Sequence, residues 1–215
     1  MSQTPKPKRT YTSTRRRMQA KQTRRLILDA ARKLFDQRGY NNATMDAIAQ
    51  EAGVAPETIY AAFGSKQGVL RNLVQISLVG DDAPAPLLDR PFIKEADQET
   101  DQRHLIGKFA KDMYQIMTRM SPIFTLLRVT AKTDPEIAAM LTKMLDERLE
   151  GMGYFVDQLN RIGPLKDEIL PDQARVTVWA LSSAEVFDLL TKDRGWSQEE
   201  YILWLSRSLE QLLLP

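Results

Sequence analysis

A glycine and a proline stand three positions apart in a segment that otherwise has the periodicity of helices. In AGVAPETIYAAFGSKQGVL, residues 52–70, Gly53 and Pro56 interrupt the helical pattern, and Gly64 interrupts it again. Glycine accepts the left-handed backbone that ends a helix, and proline is tolerated in the first turn of the next one. The spacing therefore predicts two short helices joined by a tight turn, which is a helix-turn-helix.

The apolar residues of this pair predict which sides are buried and which side faces outward. Thr44 is a favourable N-cap, and four residues after it follow the 0, 3, 4, 7 spacing of one helical face: Met45, Ile48, Ala49 and Ala52. The side chains expected to hold the two helices together are Ile48, Ala52, Val54, Ile59 and Ala62. Those left at the outer face are Pro56, Glu57, Thr58, Tyr60 and Ala61. An outward helix about 10–12 Å across fits the major groove of B-DNA, which is about 12 Å wide.

Two further helices are predicted around the pair. Residues 18–38 have an amphipathic pattern that ends at Gly39, and its apolar positions are Leu26, Ile27, Ala30, Ala31, Leu34 and Phe35. Ser65 is expected to cap a fourth helix that runs to about Leu78.

The charge is distributed unevenly along the chain. Residues 1–75 contain 14 Lys and Arg against 5 Asp and Glu, a net charge of +9, whereas the remainder carries −7. Residues 1–17 contain six basic and no acidic residues and almost nothing apolar, so we expect a flexible basic arm. Its cluster of Arg15, Arg16 and Arg17 suits a polyanion, which would release counterions on binding, although a charge run alone is more often a solvated tail.

The rest of the chain is also predicted to be helical. Residues 80–103 are rich in proline and acid and are interpreted as a connecting segment. Helices are expected at about 104–120, 122–132, 135–162, 172–192 and 197–213, with breaks at Pro122, Pro135, Gly163, Pro171 and Gly195. The predicted fold is all-α, with an N-terminal helix-turn-helix domain at 18–79 and a larger helical regulatory and dimerisation domain at 104–215.

Residues 22–70 resemble the DNA-binding domain of the TetR/AcrR family of transcriptional regulators. The resemblance rests on TMDAIAQEAGVAPETIYAAFGSKQGVL, in which a threonine opens the second helix, I-A-x-x-A-G-V and T-x-Y-x-x-F follow, and a lysine opens the fourth helix. It implies that Thr44 and Lys66 bind phosphates, that Tyr60 reaches the DNA backbone, and that Pro56, Glu57, Thr58 and Ala61 face base edges. Capping by Thr44, packing of Tyr60 and a solvated Lys66 are the structural alternatives.

Two positions depart from the usual pattern of that family. Ala55 stands where serine is frequent, and Ala62 replaces a common histidine or aromatic residue. Since few long polar side chains remain on the recognition helix, we expect contacts with thymine methyl groups and DNA shape to contribute to sequence preference.

Two C-terminal segments, at 172–192 and 197–213, have apolar faces that are wide for a single small bundle. Such a pair from each of two chains would form a four-helix interface, as the family does, and the alternative is an ordinary intrachain core. The residues expected in this homodimer interface are Val176, Trp179, Ala180, Ser183, Phe187, Tyr201, Trp204, Leu205, Ser208, Leu209 and Leu212.

A small-molecule effector is expected to bind between residues 104 and 190. The candidate lining is rich in methionine and aromatic residues, which at helical spacing are more often core: Met113, Tyr114, Met117, Phe124, Leu127, Met144, Met152, Phe155 and Trp179. Arg128 lies within the apolar run IFTLLRVTA, and it either extends to solvent or pairs with an acidic group of an apolar ligand.

The remaining features bound the function. The chain has no cysteine and a single histidine, His104, so no metal and no cofactor is expected. No segment suggests a membrane span or an export signal, which predicts a cytoplasmic protein. No nucleophile elbow, P-loop or dinucleotide turn supports an enzyme. The sequence therefore predicts a dimeric regulator, most simply a repressor released from a palindromic operator by an effector; a dimeric DNA-binding protein without ligand control is the alternative.

Overall fold

Helices make up all the regular secondary structure in the computed structural model, which describes residues 10–80 and 97–215, with side chains of the first helix described from residue 15. The predicted all-α fold is confirmed for these ranges. The helices are α1 (Thr10–Asn42), α2 (Met45–Ala52), α3 (Pro56–Phe63), α4 (Lys66–Val79), α5 (Gln102–Thr130), α6 (Pro135–Ile162), α7 (Pro171–Leu181), α8 (Ala184–Asp188) and α9 (Gln198–Leu213), with a π-helical turn at Leu189–Asp193 after α8.

The chain divides into two compact units, unit 1 up to Leu73 and unit 2 from Val74 onward. The division falls within α4, six residues before the predicted domain boundary. The last part of α4 belongs to unit 2 because Val74 and Ser77 are buried there, and the Ser77 carbonyl accepts a 2.8 Å hydrogen bond from Arg119 Nε of α5. Most of the predicted connecting segment, residues 81–96, lies outside the described residues.

Helix α1 is longer than the sequence pattern indicated. It begins at Thr10, so residues 10–17 of the predicted flexible arm are helical, and residues 1–9 lie outside the described part. Residues 15–21, RRRMQAK, have high helix propensities. The helix can therefore extend from its buried half towards the N-terminus. Gly39 has φ 73° and ψ 163° and interrupts the helical geometry at the predicted position. Leu26 is 48% exposed, so its predicted burial is wrong: Ile27 and Leu28 take the inward positions.

The turn between α2 and α3 has the predicted construction. Thr44 Oγ1 accepts a 3.1 Å hydrogen bond from the Ala47 amide and caps α2. Gly53 ends α2 in the left-handed region, with φ 67° and ψ 34°, and the Val54 amide donates to the Ala49 carbonyl at 3.0 Å. Pro56 occupies the first turn of α3. These local bonds fix where α2 stops and where α3 starts.

Replacing Gly53 by alanine should destabilise unit 1 by about 1–2 kcal/mol, the cost of a left-handed backbone for a residue with a Cβ. A Cβ at this position meets no other atom within 4 Å, so the cost is backbone strain alone. Gly107→Ala in α5 is the matched control, because its Cβ also enters open space without a positive φ. Urea denaturation should show a loss for the first variant and an unchanged or higher stability for the second; equal losses would contradict this account.

The core of unit 2 is formed by α5, α6 and α9, with α7 packed on α6. Phe109 of α5 and Phe155 of α6 stack with their ring centroids 4.1 Å apart, and Tyr201 of α9 is completely buried. The predicted break at Pro122 is wrong, because α5 continues through it. Pro122 is exposed, whereas Ser121 and Ile123 on either side are buried, so packing of the helix offsets the one hydrogen bond that proline removes.

The segment predicted as one helix at 172–192 is interrupted at two serines. The buried Ser182 hydroxyl donates to the Val178 carbonyl at 2.7 Å and ends α7. The Ser183 hydroxyl accepts from the Val186 amide at 3.3 Å and caps α8. Serine competes for backbone groups in this way, so two serines in succession replace the continuous helix by two.

Candidate nucleic-acid interface

Helix α3 presents one polar and small-residue face to solvent. Ile59 and Phe63 are buried on its inner side. Pro56, Glu57 and Ala61 are exposed, and Tyr60 is 51% exposed. Thr58 is half-buried at the edge of that face. The outward direction expected for four of the five residues thus holds, and a role in reading bases stays a prediction.

A cleft of about 910 Å³ lies between the N-terminal half of α1 and the face of α3. Its α1 wall carries three basic side chains, Arg16, Lys21 and Arg24, and its α3 wall carries one acid, Glu57. The complete lining is Arg16, Gln19, Ala20, Lys21, Thr23 and Arg24 from α1 and Glu57, Thr58, Ala61 and Ala62 from α3. Because α3 has no basic residue of its own, the positive charge beside it comes from α1.

Lys21 and Arg24 were not among the residues predicted from the sequence. The spacing of Arg17, Lys21 and Arg24 places them on neighbouring positions of one helical face, a signal that becomes visible once α1 extends to Thr10. Arg15, Arg16 and Arg17 are exposed on the same helix. The basic cluster is therefore held on a helix beside α3.

Arg24 connects three helices of unit 1. Its Nη1 donates a 2.9 Å hydrogen bond to the Ala62 carbonyl in the last turn of α3, and Nη2 donates to Asn72 of α4. Its guanidinium carbon lies 4.4 Å from the centroid of the Phe63 ring. A cation at the C-terminal end of a helix stabilises the unpaired carbonyl groups there. Arg24 therefore fixes the end of α3 against α1.

The two predicted phosphate ligands have different surroundings. Thr44 is exposed, and since its oxygen accepts the capping bond, its O–H remains able to donate to a phosphate. Lys66 is half-buried: Nζ donates to the carbonyls of Tyr40 and Asn41 at 2.8 and 3.3 Å and lies 4.4 Å from the Tyr40 ring centroid. A phosphate contact by Lys66 has to add to this network or replace part of it.

Unit 2 contains a cavity of about 400 Å³ among α4, α5 and α6. Five predicted pocket residues line it: Met113, Met117, Phe124, Met144 and Met152. The lining residues that the sequence did not indicate are Leu78, Ile116, Glu147, Arg148, Glu150 and Gly151. The cavity is therefore mainly apolar and rich in methionine, with charged residues contributed by one segment of α6.

The other five predicted pocket residues do not line this cavity. Leu127 and Phe155 are core residues, and Tyr114 packs against the rings of Phe187 and Tyr201. Trp179 lies against Arg148, and the exposed Arg128 forms an ion pair with Glu185. Helical periodicity identifies an inward side chain, but it does not distinguish a packed neighbour from a cavity wall.

Arg148 is the charged group that lies deepest in the cavity wall. Its Nη2 donates to the Trp179 carbonyl at 2.6 Å and to the Ser182 hydroxyl at 2.8 Å. Burial lowers the pKa of Arg148 to about 10, because removal from water disfavours the charged form. No signal in the charged sequence LDERLEGMG marks Arg148 as different from its neighbours.

The predicted dimer-interface residues separate into two sets. Five are buried within the single chain, with 9% or less of each residue exposed: Ser183, Phe187, Tyr201, Leu205 and Leu209. For these five the interface prediction is wrong, and the intrachain alternative holds. Val176 and Leu212 are 49% and 48% exposed, Ala180 is exposed, and Trp179, Trp204 and Ser208 are half-buried. These six residues of α7 and α9 are called the α7/α9 face below.

None of the helices in residues 10–80 and 97–215 combines the length and the apolar character that crossing a bilayer requires. The same residues contain no cluster of three His, Asp or Glu side chains placed to hold a metal ion.

Comparisons with known proteins agree with this geometry. Residues 27–73 match the family model of bacterial regulatory proteins of the tetR family. The HTH-type transcriptional regulator UidR of Escherichia coli strain K12 is 36% identical over 56 residues, which are 26% of this chain and 29% of UidR. The chain thus spans less than a third of that relative.

Two other similarities extend beyond the N-terminal region. The HTH-type transcriptional repressor BepR of Brucella suis biovar 1 (strain 1330) is 22% identical over 197 residues, covering 85% of this chain and 87% of BepR. The structure of the SmeT–triclosan complex superposes with a TM-score of 0.68 at 16% identity, covering 90% of this chain and 92% of SmeT. Residues 27–73 therefore form a helix-turn-helix domain of the kind found in bacterial regulatory proteins of the tetR family, and the likeness to SmeT shows that the described chain shares that helical fold.

Proposed function

We propose that the protein is a sequence-specific DNA-binding transcriptional regulator that acts as a homodimer, and most simply as a repressor that a small molecule releases from its operator. The observation that supports DNA binding most strongly is the exposed face of α3 beside the basic wall of α1. We place the protein in the cytoplasm, where duplex DNA is accessible to it.

Helices α1 and α3 would have different roles in DNA recognition. The face of α3 carries Thr58, Tyr60 and Ala61, which suit contacts with base edges, thymine methyl groups and the DNA backbone. The arginines of α1 suit phosphates, where they contribute affinity without sequence information. Affinity should therefore fall steeply as the salt concentration rises.

Dimerisation would set the form of the operator. The α7/α9 face exposes Val176, Ala180 and Leu212, which a second copy of the chain would cover. A two-fold dimer presents two recognition helices and prefers a palindrome whose half-sites are spaced by about one helical turn of DNA, about 34 Å, or a related distance.

Effector control is supported by the cavity in unit 2. A volume of about 400 Å³ lies within the range of pockets that hold small ligands. A ligand that prefers the form unable to bind DNA would change the spacing of the recognition helices, with a coupling of typically about 1–3 kcal/mol. A DNA-binding dimer without ligand control is the second candidate, and a ligand screen by thermal shift separates the two, because a bound effector raises the melting temperature.

Two variants should separate base readout from phosphate contact. Thr58→Ala is expected to reduce discrimination between operator and mutated operator by about 1–3 kcal/mol. Arg15→Gln should weaken binding to all duplexes alike and lower the slope of log K against log salt by about 0.9. Fluorescence anisotropy at several salt concentrations measures both quantities.

Lys66→Ala tests the phosphate contact expected of Lys66 at the start of α4. The variant should bind all duplexes more weakly to the same extent. Because Lys66 Nζ also donates a hydrogen bond to the Tyr40 carbonyl, the melting temperature of the variant must be measured in parallel. If Thr58→Ala and Arg15→Gln change the same quantity in the same way, the division into readout and phosphate contacts is incorrect. If the unaltered protein ignores every duplex at low salt, the proposed function itself is incorrect.

A further inference from the structure

One guanidinium in the wall of the unit 2 cavity lacks an acidic partner. Arg148 Nη2 is occupied by the Trp179 carbonyl and the Ser182 hydroxyl. Its Nε and Nη1 make no hydrogen bond, and no carboxylate lies within ion-pair distance of it in the described residues. Glu185 acts on Arg148 electrostatically but forms its ion pair with Arg128, so Arg148 is a partly buried cation with no ion-pair partner of its own. An anion in the cavity would offset the hydration that this cation loses on burial.

A second hydrogen-bond donor close to Arg148 also lacks an acceptor. The Trp179 ring centroid lies 5.2 Å from the guanidinium carbon, and its indole N–H is buried without a partner among the described residues. The Tyr201 hydroxyl is likewise buried and unpaired there, and its pKa is raised by burial. Neither Trp179 nor Tyr201 lines the cavity, so among these groups Arg148 is the donor that a ligand in the cavity can reach.

Two acidic residues of the cavity wall, Glu147 and Glu150, would favour a cationic ligand. Both are exposed to solvent, where their electrostatic effect is weaker. The Glu147 side chain is 62% exposed and pairs with Lys143 at 3.7 Å, and Glu150 is exposed. Water and salt screen such surface charges, whereas the field of a buried charge is screened much less. The inner cation should therefore decide which ligands are retained.

The other residues of the cavity lining indicate which chemical groups, apart from a charged head group, the ligand should have. Met113, Met117, Met144 and Met152 supply flexible and polarisable side chains, and Phe124 adds an aromatic surface. Such a lining offers an extended apolar molecule many contacts and no further polar anchor.

We propose that the effector is an amphipathic anion, with an apolar body among the methionines and a single carboxylate or comparable oxyanion paired with Arg148. This inference rests on the proposed control by a small molecule. Arg148 then has two roles: Nη2 holds the C-terminal end of α7, and its remaining donors bind the head group of the ligand. A carboxylate accepts two parallel N–H bonds from a guanidinium, which fixes the orientation of the ligand as well as its charge.

The test compares three probes that share a ten-carbon tail: decanoate, decyltrimethylammonium and 1-decanol. Each is titrated into the full-length protein below its aggregation concentration, with binding followed by calorimetry and thermal shift. Decanoate is expected to bind most tightly and to raise the melting temperature most. Tightest binding of the cationic probe, or equal binding of all three, would overturn the proposal without any variant having to fold.

Three variants locate the site. Arg148→Met should weaken decanoate binding about tenfold or more while changing 1-decanol binding little, because it removes the charge and keeps an apolar side chain. Lys143→Met is the matched control, because it removes a cation from the exposed surface of the same helix, outside the cavity lining, and it should not weaken decanoate binding. Gly151→Phe should abolish binding of decanoate and 1-decanol with the fold retained, since a Cβ at 151 starts in open space at the cavity wall. Unchanged decanoate binding by a folded Arg148→Met or Gly151→Phe variant would contradict the assignment.

DNA binding by the ligand-free protein is measured separately. Absence of DNA binding would contradict the proposed function. The ranking of the affinities of the three probes tests only the chemical class of the effector. Release of a bound duplex by decanoate, and not by decyltrimethylammonium, would support both.

Discussion

Alanine at position 59 is expected to destabilise unit 1 by about 2–5 kcal/mol, the usual cost of emptying a buried isoleucine site. Ile59 is completely buried on the inner side of α3, and the loss would be a large part of the stability of a domain of this size. The neighbouring Tyr60→Ala variant should leave the free energy of unfolding nearly unchanged, because that side chain is about half exposed.

DNA binding should separate the same two variants in a different way. Tyr60→Ala is expected to lose duplex affinity while its urea denaturation curve stays that of the unaltered protein. Ile59→Ala should lose both, and lowering the temperature or adding a stabilising osmolyte should restore part of its binding. A Tyr60→Ala variant that unfolds early would show that Tyr60 serves packing, and one that binds DNA normally would show that Tyr60 does not contact the duplex.

A glutamate at both Val176 and Leu212 is expected to dissociate the dimer and with it nearly all affinity for a palindromic operator. Both side chains are apolar and exposed on the α7/α9 face, and a contact between two copies would bury the new charges without partners. Sedimentation equilibrium should change from twice the 24.5 kDa mass of one chain to the mass of a single chain.

Leu189→Glu is the matched control for that experiment. Leu189 is exposed to a similar extent, but it lies on the π-helical turn that follows α8 and outside the α7/α9 face. This variant should remain dimeric and bind DNA normally. If Leu189→Glu dissociates the dimer while the double variant does not, the interface lies elsewhere on unit 2.

Predictions from the sequence were accurate where a structural signal acts within one or two turns of helix. Thr44 caps α2, Gly53 takes the left-handed conformation and Pro56 opens α3, since each of these depends on atoms no more than about four residues away. Predictions failed where packing overrides a local preference. Pro122 ought to end a helix, yet the buried residues around it keep α5 continuous.

Such local signals do not predict which apolar residues lie in the core, which line the cavity and which remain at the surface. On α9, Tyr201, Leu205 and Leu209 form one stripe, and Trp204, Ser208 and Leu212 form the next, so the helix is apolar on two adjoining faces. Only contact with α5 determines that the first stripe is buried. The pocket arginine shows the same limit: Arg128 stands in an apolar run but pairs with Glu185, whereas Arg148, within a charged run, lines the cavity.

The sequence by itself determined the helix-turn-helix, the outward face of α3 and the basic character of the N-terminal region, because caps, glycine conformations and charge are encoded by neighbouring residues. The tertiary structure alone decided which arginine faces the cavity, which apolar stripe of α9 remains exposed and where the chain divides into units. Those outcomes depend on contacts between residues tens of positions apart, and the periodicity of a helix carries no information about which neighbour will cover each of its faces.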